Sequence, residues 1–359
     1  MKTFQLIATS LALVAAQGSL QLHAQAPVKV GFVYVSPIGE AGWTYQHELA
    51  RKQLEEGLKG QVVTQKVEDV PEGGDAERVI RELAQSGCKV VFTTSFGYMN
   101  PTLKVAKTFP KTVFLNCTGY KTAANVGIYN DRYYEGRYLC GVLAGRMTRK
   151  NMVGYVAAFP IPEVLQDINA FTRGMRSINP KAVVRVVWLN SWYDPGKERE
   201  GALSLIAQGA DIITHHSDST AVVQAAEEKG VYSIASDSDM SKYGPKTMLT
   251  ACTRLWGDYY IKTVKDAAAG TWKPTRVFGG LKDGMIKLSP LSPAVPKEVK
   301  ALVEKAEKDI ASGKLHPFGG PVVDQNGKIR VPAGKTMSDA DLDKMNYFVE
   351  GVDAALPKN

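Results

Sequence analysis

The alternation of strand-like and helix-like segments is the feature that most constrains how this chain of 359 residues folds. Short apolar, β-branched runs such as Val28 to Val35 predict strands, and longer runs with apolar residues at helical spacing, such as Thr44 to Gly57, predict helices. The alternation restarts near residue 150, at a strand-like run from Val153 to Ala157. Strict alternation is typical of parallel sheets with helices on both faces. The sequence therefore predicts an α/β protein with two successive doubly wound sheets and a ligand cleft between them.

The first residues have the features of an export signal. Lys2 supplies a positive start, Leu6 to Ala16 form a short apolar run, and Leu22-His23-Ala24 fits a cleavage site. The run is too short to span a bilayer, and no cysteine lies at the cleavage region to carry a lipid anchor. We expect residues 1–26 to be a signal peptide and the mature chain to be periplasmic; a buried N-terminal helix is the alternative.

Charge and cysteine content narrow the function classes. The net charge of +8 is spread over basic residues scattered among acids, so the sequence does not predict a nucleic-acid-binding patch. No C-x-x-C pair is present, which argues against a zinc site. We expect buried thiols, although an oxidising compartment would permit disulfides, and the sequence assigns no pairing to the four cysteines, Cys88, Cys117, Cys140 and Cys252.

Motifs for catalysis or cofactor binding are missing from the sequence. There is no G-x-S-x-G elbow, no P-loop, and no G-x-G-x-x-G after the first strand, so we expect no cofactor. His215 and His216 are adjacent at a strand end and face opposite sides. They therefore make a poor chelating pair, and we expect no metal, with one imidazole buried and the other at the cleft rim.

Three aromatic residues follow strand-like runs directly. Trp43, Phe96 and Trp192 each lie where a strand gives way to a helix, and open α/β sheets bind ligands at the carboxyl ends of their strands. Three flat rings there predict a pocket that grips a planar molecule by stacking. Gly97, beside Phe96 in the same turn, is a further candidate binding residue. The alternative for each ring is packing in the core.

Acidic residues follow two later strands. Asp218 is either an N-cap for the next helix or a ligand contact. No clear helix follows Asp237 and Asp239 at once, which favours a ligand contact for at least one of them. A carboxylate that accepts from a ring N–H or an amine of a purine makes a charge-assisted bond. Such a site also rejects ligands that lack the donor, because the buried carboxylate is then left unpaired.

Several of these motifs together resemble the basic membrane protein family of ABC-transporter substrate-binding proteins, which includes purine-nucleoside receptors. The similarity covers Val28 to Lys273, and its more specific parts are the run from Tyr134 to Gly145 and the run from Trp192 to Glu198. The resemblance implies a type I periplasmic binding fold with a three-segment hinge. The expected divisions are an N-terminal lobe of residues 27–150 plus about 254–273, a C-terminal lobe of 151–253 plus about 274–330, and a tail or helix of 331–359.

The resemblance also implies roles for individual residues. It places a purine base between Trp43 and Trp192, with Asp237 reading the base edge. Phe96 and Asp239 are further candidates in the nucleobase-binding branch of the family.

The sequence differs from the nucleoside receptors of the family at three positions. Tyr34 replaces an acid that helps to hold ribose, Thr44 replaces an asparagine, and Arg254 replaces a lysine. These differences favour a free base such as adenine or hypoxanthine over a nucleoside.

The expected function is therefore that of a monomeric periplasmic receptor that hands a purine base to an ABC permease without any reaction. A receptor for purine nucleosides, or for another planar or sugar ligand, is one alternative. A secreted nucleosidase is another, but it needs an acid and a base in the cleft, and we find no partner group for Asp237 and Asp239.

Overall fold

The computed structural model describes residues 26–357, so the expected signal peptide lies outside it except for Ala26. The first strands are β1 (Val28–Val33), β2 (Val62–Val67), β3 (Val90–Thr93), β4 (Val113–Cys117), β5 (Val126–Asp131), β6 (Met152–Ala157), β7 (Val183–Trp188) and β8 (Ile212–His216). The later strands are β9 (Tyr232–Asp237), β10 (Met248–Arg254), β11 (Arg276–Gly279), β12 (Ile286–Leu288), β13 (Val322–Val323), β14 (Ile329–Val331) and β15 (Val352–Asp353). The helices are α1 (Trp43–Gly57), α2 (Gly74–Gln85), α3 (Met99–Ala106), α4 (Tyr133–Met147), α5 (Pro162–Ile178), α6 (Pro195–Ala207), α7 (Ala221–Lys229), α8 (Gly257–Ala268), α9 (Lys297–Ala311) and α10 (Asp339–Leu342).

The N-terminal lobe is built on a six-stranded parallel sheet in the order β11-β5-β4-β3-β1-β2. Alternate residues of β3 face opposite sides of the sheet. Phe92 packs in a core with α1 and α8, whereas Val91 packs in a second core with α2 and α3. Both faces are thus covered by helices, as the alternation predicts.

The C-terminal lobe is built on a seven-stranded sheet in the order β12-β10-β9-β8-β6-β7-β15, in which only the edge strand β12 runs antiparallel. Helices α4 and α5 cross one face in close contact. Two glycines allow this approach, because a Cβ on Gly141 would lie 2.0 Å from the carbonyl oxygen of Phe171, and one on Gly174 would lie 2.1 Å from that of Tyr138.

The chain passes between the two lobes three times. It crosses between β5 and α4, between β10 and α8, and between β11 and β12, because these neighbours in sequence pack with different sheets. The two lobes, their parallel sheets and the three crossings agree with the α/β fold expected from the sequence and the resemblance.

The lobe boundaries differ from the expected ones. Helix α4 lies in the core of the C-terminal lobe, so the first crossing falls near residue 132 rather than 150. Strand β11 pairs with β5, with Arg276 opposite Ile128, and so extends the N-terminal sheet beyond residue 273. Hydrophobic periodicity identifies a helix but not the sheet that it covers, which explains the misplacement.

The C-terminal residues are part of the C-terminal lobe rather than a separate tail. Strand β15 pairs with β7, and Phe348 and Val349 are buried in the same core as α4 and α5. Residues 324–328 form the connection between β13 and β14, which pair antiparallel. All four cysteines are buried and free.

Candidate functional site

A cavity of about 360 Å³ lies between the lobes at the carboxyl ends of their strands. The N-terminal lobe contributes Val35, Trp43, Ser95, Phe96 and Thr118 to its lining. The C-terminal lobe contributes Ile161, Glu163, Trp192, His216, Asp218 and Asp237.

Trp43 is the first residue of α1 and is held in a fixed orientation. Gly42 before it has a φ of 92°, a conformation that favours glycine. The indole is 8% exposed, and its Nε1–H donates to the carbonyl oxygen of Thr94 over 2.7 Å. Trp43 also belongs to the core of the N-terminal lobe. Trp43 therefore packs in the core and also lines the cavity.

Trp192 lies in the loop between β7 and α6. Its ring is tilted against Phe159, with 4.9 Å between centroids, and its carbonyl oxygen accepts the backbone N–H of Asp218 over 3.0 Å. The indole Nε1 is buried and has no hydrogen-bond partner among residues 26–357. Trp192 thus offers the cavity a ring face and a free donor.

Glu198 fixes the loops around Trp192. One of its carboxylate oxygens accepts the hydroxyls of Ser217 and Ser219 over 2.9 and 2.7 Å, and the other accepts the backbone N–H of Asp194 over 3.1 Å. The side chain of Asp194 caps α6 by accepting the N–H of Lys197. The buried carboxyl of Glu198 therefore joins the Trp192 loop to the loop that carries Asp218.

Asp218 and Asp237 both line the cavity, but they have different surroundings. Asp218 accepts the hydroxyl of Ser36, from the opposite lobe, over 2.9 Å. It does not cap α7, so its place is in the cavity rather than at the helix end. Asp237 forms an ion pair with Arg254, whose Nε–H donates over 2.7 Å.

Burial raises the pKa of Asp218 to about 8, and the negative charge of Asp237 adds to this effect. At neutral pH the Asp218 carboxyl is therefore protonated and presents one donor and one acceptor. Asp237, as a carboxylate paired with Arg254, presents acceptors alone. Two chemically identical side chains thus offer a ligand different hydrogen-bonding groups.

The structure corrects two predicted site residues. The N–H of Gly97 donates to Glu72 over 3.0 Å, and a Cβ at this position would lie 2.3 Å from the carboxyl carbon of Glu72. Gly97 therefore makes room for Glu72 and does not line the cavity. Asp239 is exposed, and its carboxylate accepts the backbone N–H of Ser241 over 2.9 Å. Only its neighbour Asp237 faces the cavity, because the turn points Asp239 to the surface.

Arg254 is a fully buried cation behind the cavity that holds three carboxylates. Its guanidinium donates to Asp131 over 2.6 Å, to Glu163 over 2.8 Å and to Asp237 over 2.7 Å. It also lies 4.7 Å from the ring centroid of Trp43, within range of a cation–π contact. Asp131 belongs to the N-terminal sheet and the other two carboxylates to the C-terminal lobe. Arg254 thus links the two lobes and supports both Trp43 and Asp237.

A second cluster of titratable side chains, His216, Asp167 and Glu163, lies beside Trp192. His216 ends β8, and its Nε2 is 3.1 Å from an oxygen of Asp167 on α5. Glu163 is one turn before Asp167, and one ligand atom from each of these three residues lies within 4.8 Å of the others. A guanidinium already donates to Glu163, and its charge would repel a metal ion, so the cluster is better described as an ion-pair network.

The sequence reasoning missed Glu163 and Asp167, and it named Arg254 only as the replacement for a lysine of the nucleoside receptors, without its three carboxylate partners. Glu163 follows Pro162 in the first turn of a helix, where an acid is expected simply to favour the helix dipole. The histidine prediction was confirmed: His215 is fully buried, with its Nδ1 3.0 Å from the carbonyl oxygen of Ser217, and His216 lines the cavity.

Comparisons with known proteins agree with the fold and identify the family. A sequence model of the Bmp family, described as "ABC transporter substrate-binding protein PnrA-like", matches residues 27–315. A purine-binding protein of Brucella abortus is 49% identical over 336 residues, which are 94% of this chain and 96% of that protein. A protein of Haloferax volcanii, provisionally assigned as an ABC-transporter glucose-binding protein, is 38% identical, over 92% of this chain and 81% of its own length.

Solved structures share the fold. A solute-binding protein of an ABC transporter from Aeropyrum pernix superposes with a TM-score of 0.70 at 20% identity, covering 89% of this chain and 96% of its own. One from Conexibacter woesei gives a TM-score of 0.65 at 24% identity, over 80% and 98% of the two chains. Among the helices of residues 26–357, none combines the length and the apolar character that crossing a membrane requires.

Proposed function

The chain belongs to the Bmp family of ABC-transporter substrate-binding proteins, and from this premise we propose that it captures a purine base of the adenine or hypoxanthine type. The observation that carries the proposal is the cavity itself. Two indoles, Trp43 from one lobe and Trp192 from the other, line the same small space together with two acidic side chains. Flat walls and polar groups at one edge match a planar heterocycle with ring nitrogens.

Stacking supplies much of the expected affinity. A base stacked on an aromatic side chain gains roughly 1–3 kcal/mol per contact, judged from nucleic-acid complexes. Micromolar binding needs about 8 kcal/mol net. Two indole faces, Phe96 at the margin and one or two edge bonds can together reach this value.

Edge recognition then selects the ligand. The Asp237 carboxylate accepts from a purine N–H, and the protonated Asp218 carboxyl can pair with an edge that carries one donor and one acceptor. Both adenine and hypoxanthine present such edges. Ligands without these groups would leave buried polar atoms unpaired, which costs about 1–3 kcal/mol per group.

A free base suits the cavity better than a nucleoside. Arg254 is committed to three carboxylates, and the hydroxyl of Tyr34 donates to Glu48 over 3.3 Å, so neither residue is available to a ribose. Nucleosides are the second candidate class.

A sugar receptor is favoured by one observation, the 38% identity to the Haloferax volcanii protein. Stacking aromatic residues also occur in sugar sites, so glucose belongs in any binding panel. A nucleosidase is a different class of protein. Family members are binding proteins of ABC transporters rather than enzymes, and a nucleosidase would release free base from added nucleosides.

Substrate-binding proteins of this kind work outside the cytoplasm and hand their ligands to a membrane permease. We extend this role to the present chain, as a monomer exported by the signal peptide of residues 1–26. Closure of the two lobes on the base would then prepare the surface that docks on the permease.

The test is isothermal titration calorimetry on protein from which bound small molecules have been removed by unfolding and refolding. Adenine, hypoxanthine, adenosine, inosine and glucose form the panel. We expect micromolar or tighter binding of one or both bases and at least tenfold weaker binding of the nucleosides. Tight binding of glucose, with no heat from any purine, would reject the proposal.

A further inference from the structure

His216 lies in the cavity wall. One of its ring nitrogens faces a carboxylate of the protein, and the other has no hydrogen-bond partner among residues 26–357. It packs beside Trp192, with 6.4 Å between the ring centroids, and its side chain is 7% exposed. Its Nε2 faces Asp167 at 3.1 Å, and Asp167 is itself buried on α5. The two atoms are close enough for a salt bridge but do not meet hydrogen-bond geometry, and across residues 26–357 neither has a hydrogen-bond partner. A buried carboxylate so placed holds the Nε2–H tautomer and fixes the direction of the ring.

The second ring nitrogen, Nδ1, is the atom that remains for a ligand. No side chain or backbone group of residues 26–357 forms a hydrogen bond with it, in contrast to Nδ1 of neighbouring His215, which lies 3.0 Å from the carbonyl oxygen of Ser217. The adjacent histidines thus differ in function. His215 is satisfied within the protein, whereas His216 borders the cavity with a polar atom unused.

We propose that His216, oriented by Asp167, is a specificity-determining residue that donates an Nδ1–H hydrogen bond to an acceptor atom on the ligand ring. The inference rests on the proposed function, because it takes the ligand to be a purine base. A purine edge combines donors with acceptors, and the Asp237 carboxylate can satisfy only the donors. His216 supplies the complementary group, a charged donor next to Trp192, and the acceptor is a ring nitrogen or an exocyclic oxygen.

The charges around His216 favour its protonated form. Burial opposes protonation, but the close carboxylate of Asp167, together with the charges of Asp237 and Glu163, outweighs it, and the pKa of His216 is raised. The charged or titratable groups that face it are Asp167 and Glu163 on α5, Asp237 at the end of β9, Asp218 and His215 around the end of β8, Tyr133 on α4, and Arg254 behind Glu163. Acidic groups outnumber basic ones in this set, so a protonated imidazole reduces the excess of negative charge in the site.

Ligand analogues locate the acceptor atom. Adenine is compared with 1-deaza-, 3-deaza- and 7-deazaadenine by calorimetry at pH 6.5, because each analogue replaces one ring nitrogen by a C–H group. We expect one analogue to bind the wild-type protein about 10- to 100-fold more weakly than adenine, the usual range for a charged hydrogen bond. In His216→Leu, adenine and that analogue should bind equally.

Two conservative variants separate recognition from packing. His216→Asn keeps an amide donor near the position of Nδ1, so it should recover at least tenfold of the affinity that His216→Leu loses.

In the wild type, adenine affinity should fall as the pH rises through the pKa of His216. Asp167→Asn removes the charge that raises this pKa, so the fall should begin at lower pH. In His216→Asn the titration of His216 is removed, whereas that of Asp218, at about pH 8, remains.

The possible outcomes distinguish this inference from the proposed function. An equal loss for adenine and all three analogues in His216→Leu, with an unchanged pH profile, would mean that His216 only packs, and the inference would be rejected while the purine assignment stands. No heat from any base with the wild-type protein would reject both. If His216→Leu fails to fold, as judged by its thermal transition, the analogue series on the wild type and on His216→Asn decides.

Discussion

The two lobes contribute different chemistry to the same cavity. The N-terminal lobe supplies Val35, Trp43, Ser95, Phe96 and Thr118, none of which is charged at neutral pH. Every acidic side chain and the one imidazole that line the cavity come from the C-terminal lobe. The N-terminal lobe therefore contributes mainly shape and apolar area, and the C-terminal lobe contributes most of the hydrogen-bonding groups that can read a ligand.

The difference extends to how the lobes hold their loops. On the N-terminal side, Trp43 is part of the hydrophobic core and has its polar atom satisfied by Thr94. On the C-terminal side, buried carboxyls such as Glu198 and Asp167 fix the loops and the ring of His216. Substitutions in the first lobe should therefore affect all ligands alike, whereas those in the second should change which ligand is preferred.

The most damaging change should be Arg254→Met, which removes the cation that both lobes share. Three buried carboxylates would lose their partner, and breaking a buried ion pair in this way costs about 3–5 kcal/mol. Urea unfolding at pH 7 measures the loss. Unpaired buried carboxyls have raised pKa values, so the variant should recover part of its stability as the pH falls.

A matched control for this variant is Lys242→Met, which removes a cation from an exposed ion pair with Glu40 at the rim. Exposed pairs contribute little to stability, and the urea midpoint should stay unchanged. If Arg254→Met unfolds within about 1 kcal/mol of the wild type, the description of Arg254 as the link between the lobes is wrong.

Replacing each tryptophan by alanine should separate packing from ligand stacking. Both variants should lose about 1–3 kcal/mol of binding free energy for a base, because each removes one stacking face. Only Trp43→Ala should also lose about 3–5 kcal/mol of unfolding free energy, since Trp43 is 8% exposed and belongs to a core. Calorimetry gives the binding free energy of each variant, and urea unfolding gives its unfolding free energy. Equal destabilisation of the two would remove the contrast between the lobes.

Neighbouring acids on the C-terminal side provide a sharper test of recognition. Asp237→Asn should weaken base binding about 10- to 100-fold, because it replaces a charged acceptor with an amide. Asp239→Asn makes the same chemical change on an exposed side chain outside the cavity and should leave affinity unaltered. Similar losses in both variants would point to a general electrostatic effect rather than a contact.

The pH dependence of stability should change when Asp218 is replaced by an amide. The pKa of Asp218 is about 8 in the folded protein, above its value of about 3.9 in an unfolded chain. Its stabilising contribution is therefore complete below pH 4 and is lost as the pH rises through 8, at up to roughly 1.4 kcal/mol per pH unit. Asp218→Asn should flatten this decline and be more stable than the wild type at pH 9. Urea unfolding between pH 5 and 9 measures the unfolding free energy of both proteins. If it changes with pH in the same way in the wild type and in Asp218→Asn, the prediction is contradicted.

Sequence reasoning located much of the cavity because of one geometric rule. Trp43, Phe96, Trp192, Asp218 and Asp237 each follow a strand, and the carboxyl ends of parallel strands meet at one edge of a sheet. The rule does not say which way a side chain turns within a loop. It therefore could not distinguish Asp237 from Asp239, or Phe96 from Gly97.

The charged network could not be predicted in the same way. The partners of Arg254 come from β5, from the start of α5 and from the end of β9, which are far apart in the sequence. Their meeting depends on where the chain crosses between the lobes. The expected boundary near residue 150 was itself misplaced, because α4 packs in the C-terminal core. The contacts of Arg254 near these crossings therefore could not be predicted without the structure.

The most direct test of the central claim is a crystal structure of the protein with adenine or hypoxanthine bound. We predict a base whose two faces lie against Trp43 and Trp192, with a ring N–H or amine within hydrogen-bond distance of the Asp237 carboxylate. A base bound elsewhere, or one that contacts a single lobe with the other indole turned away, would contradict the account.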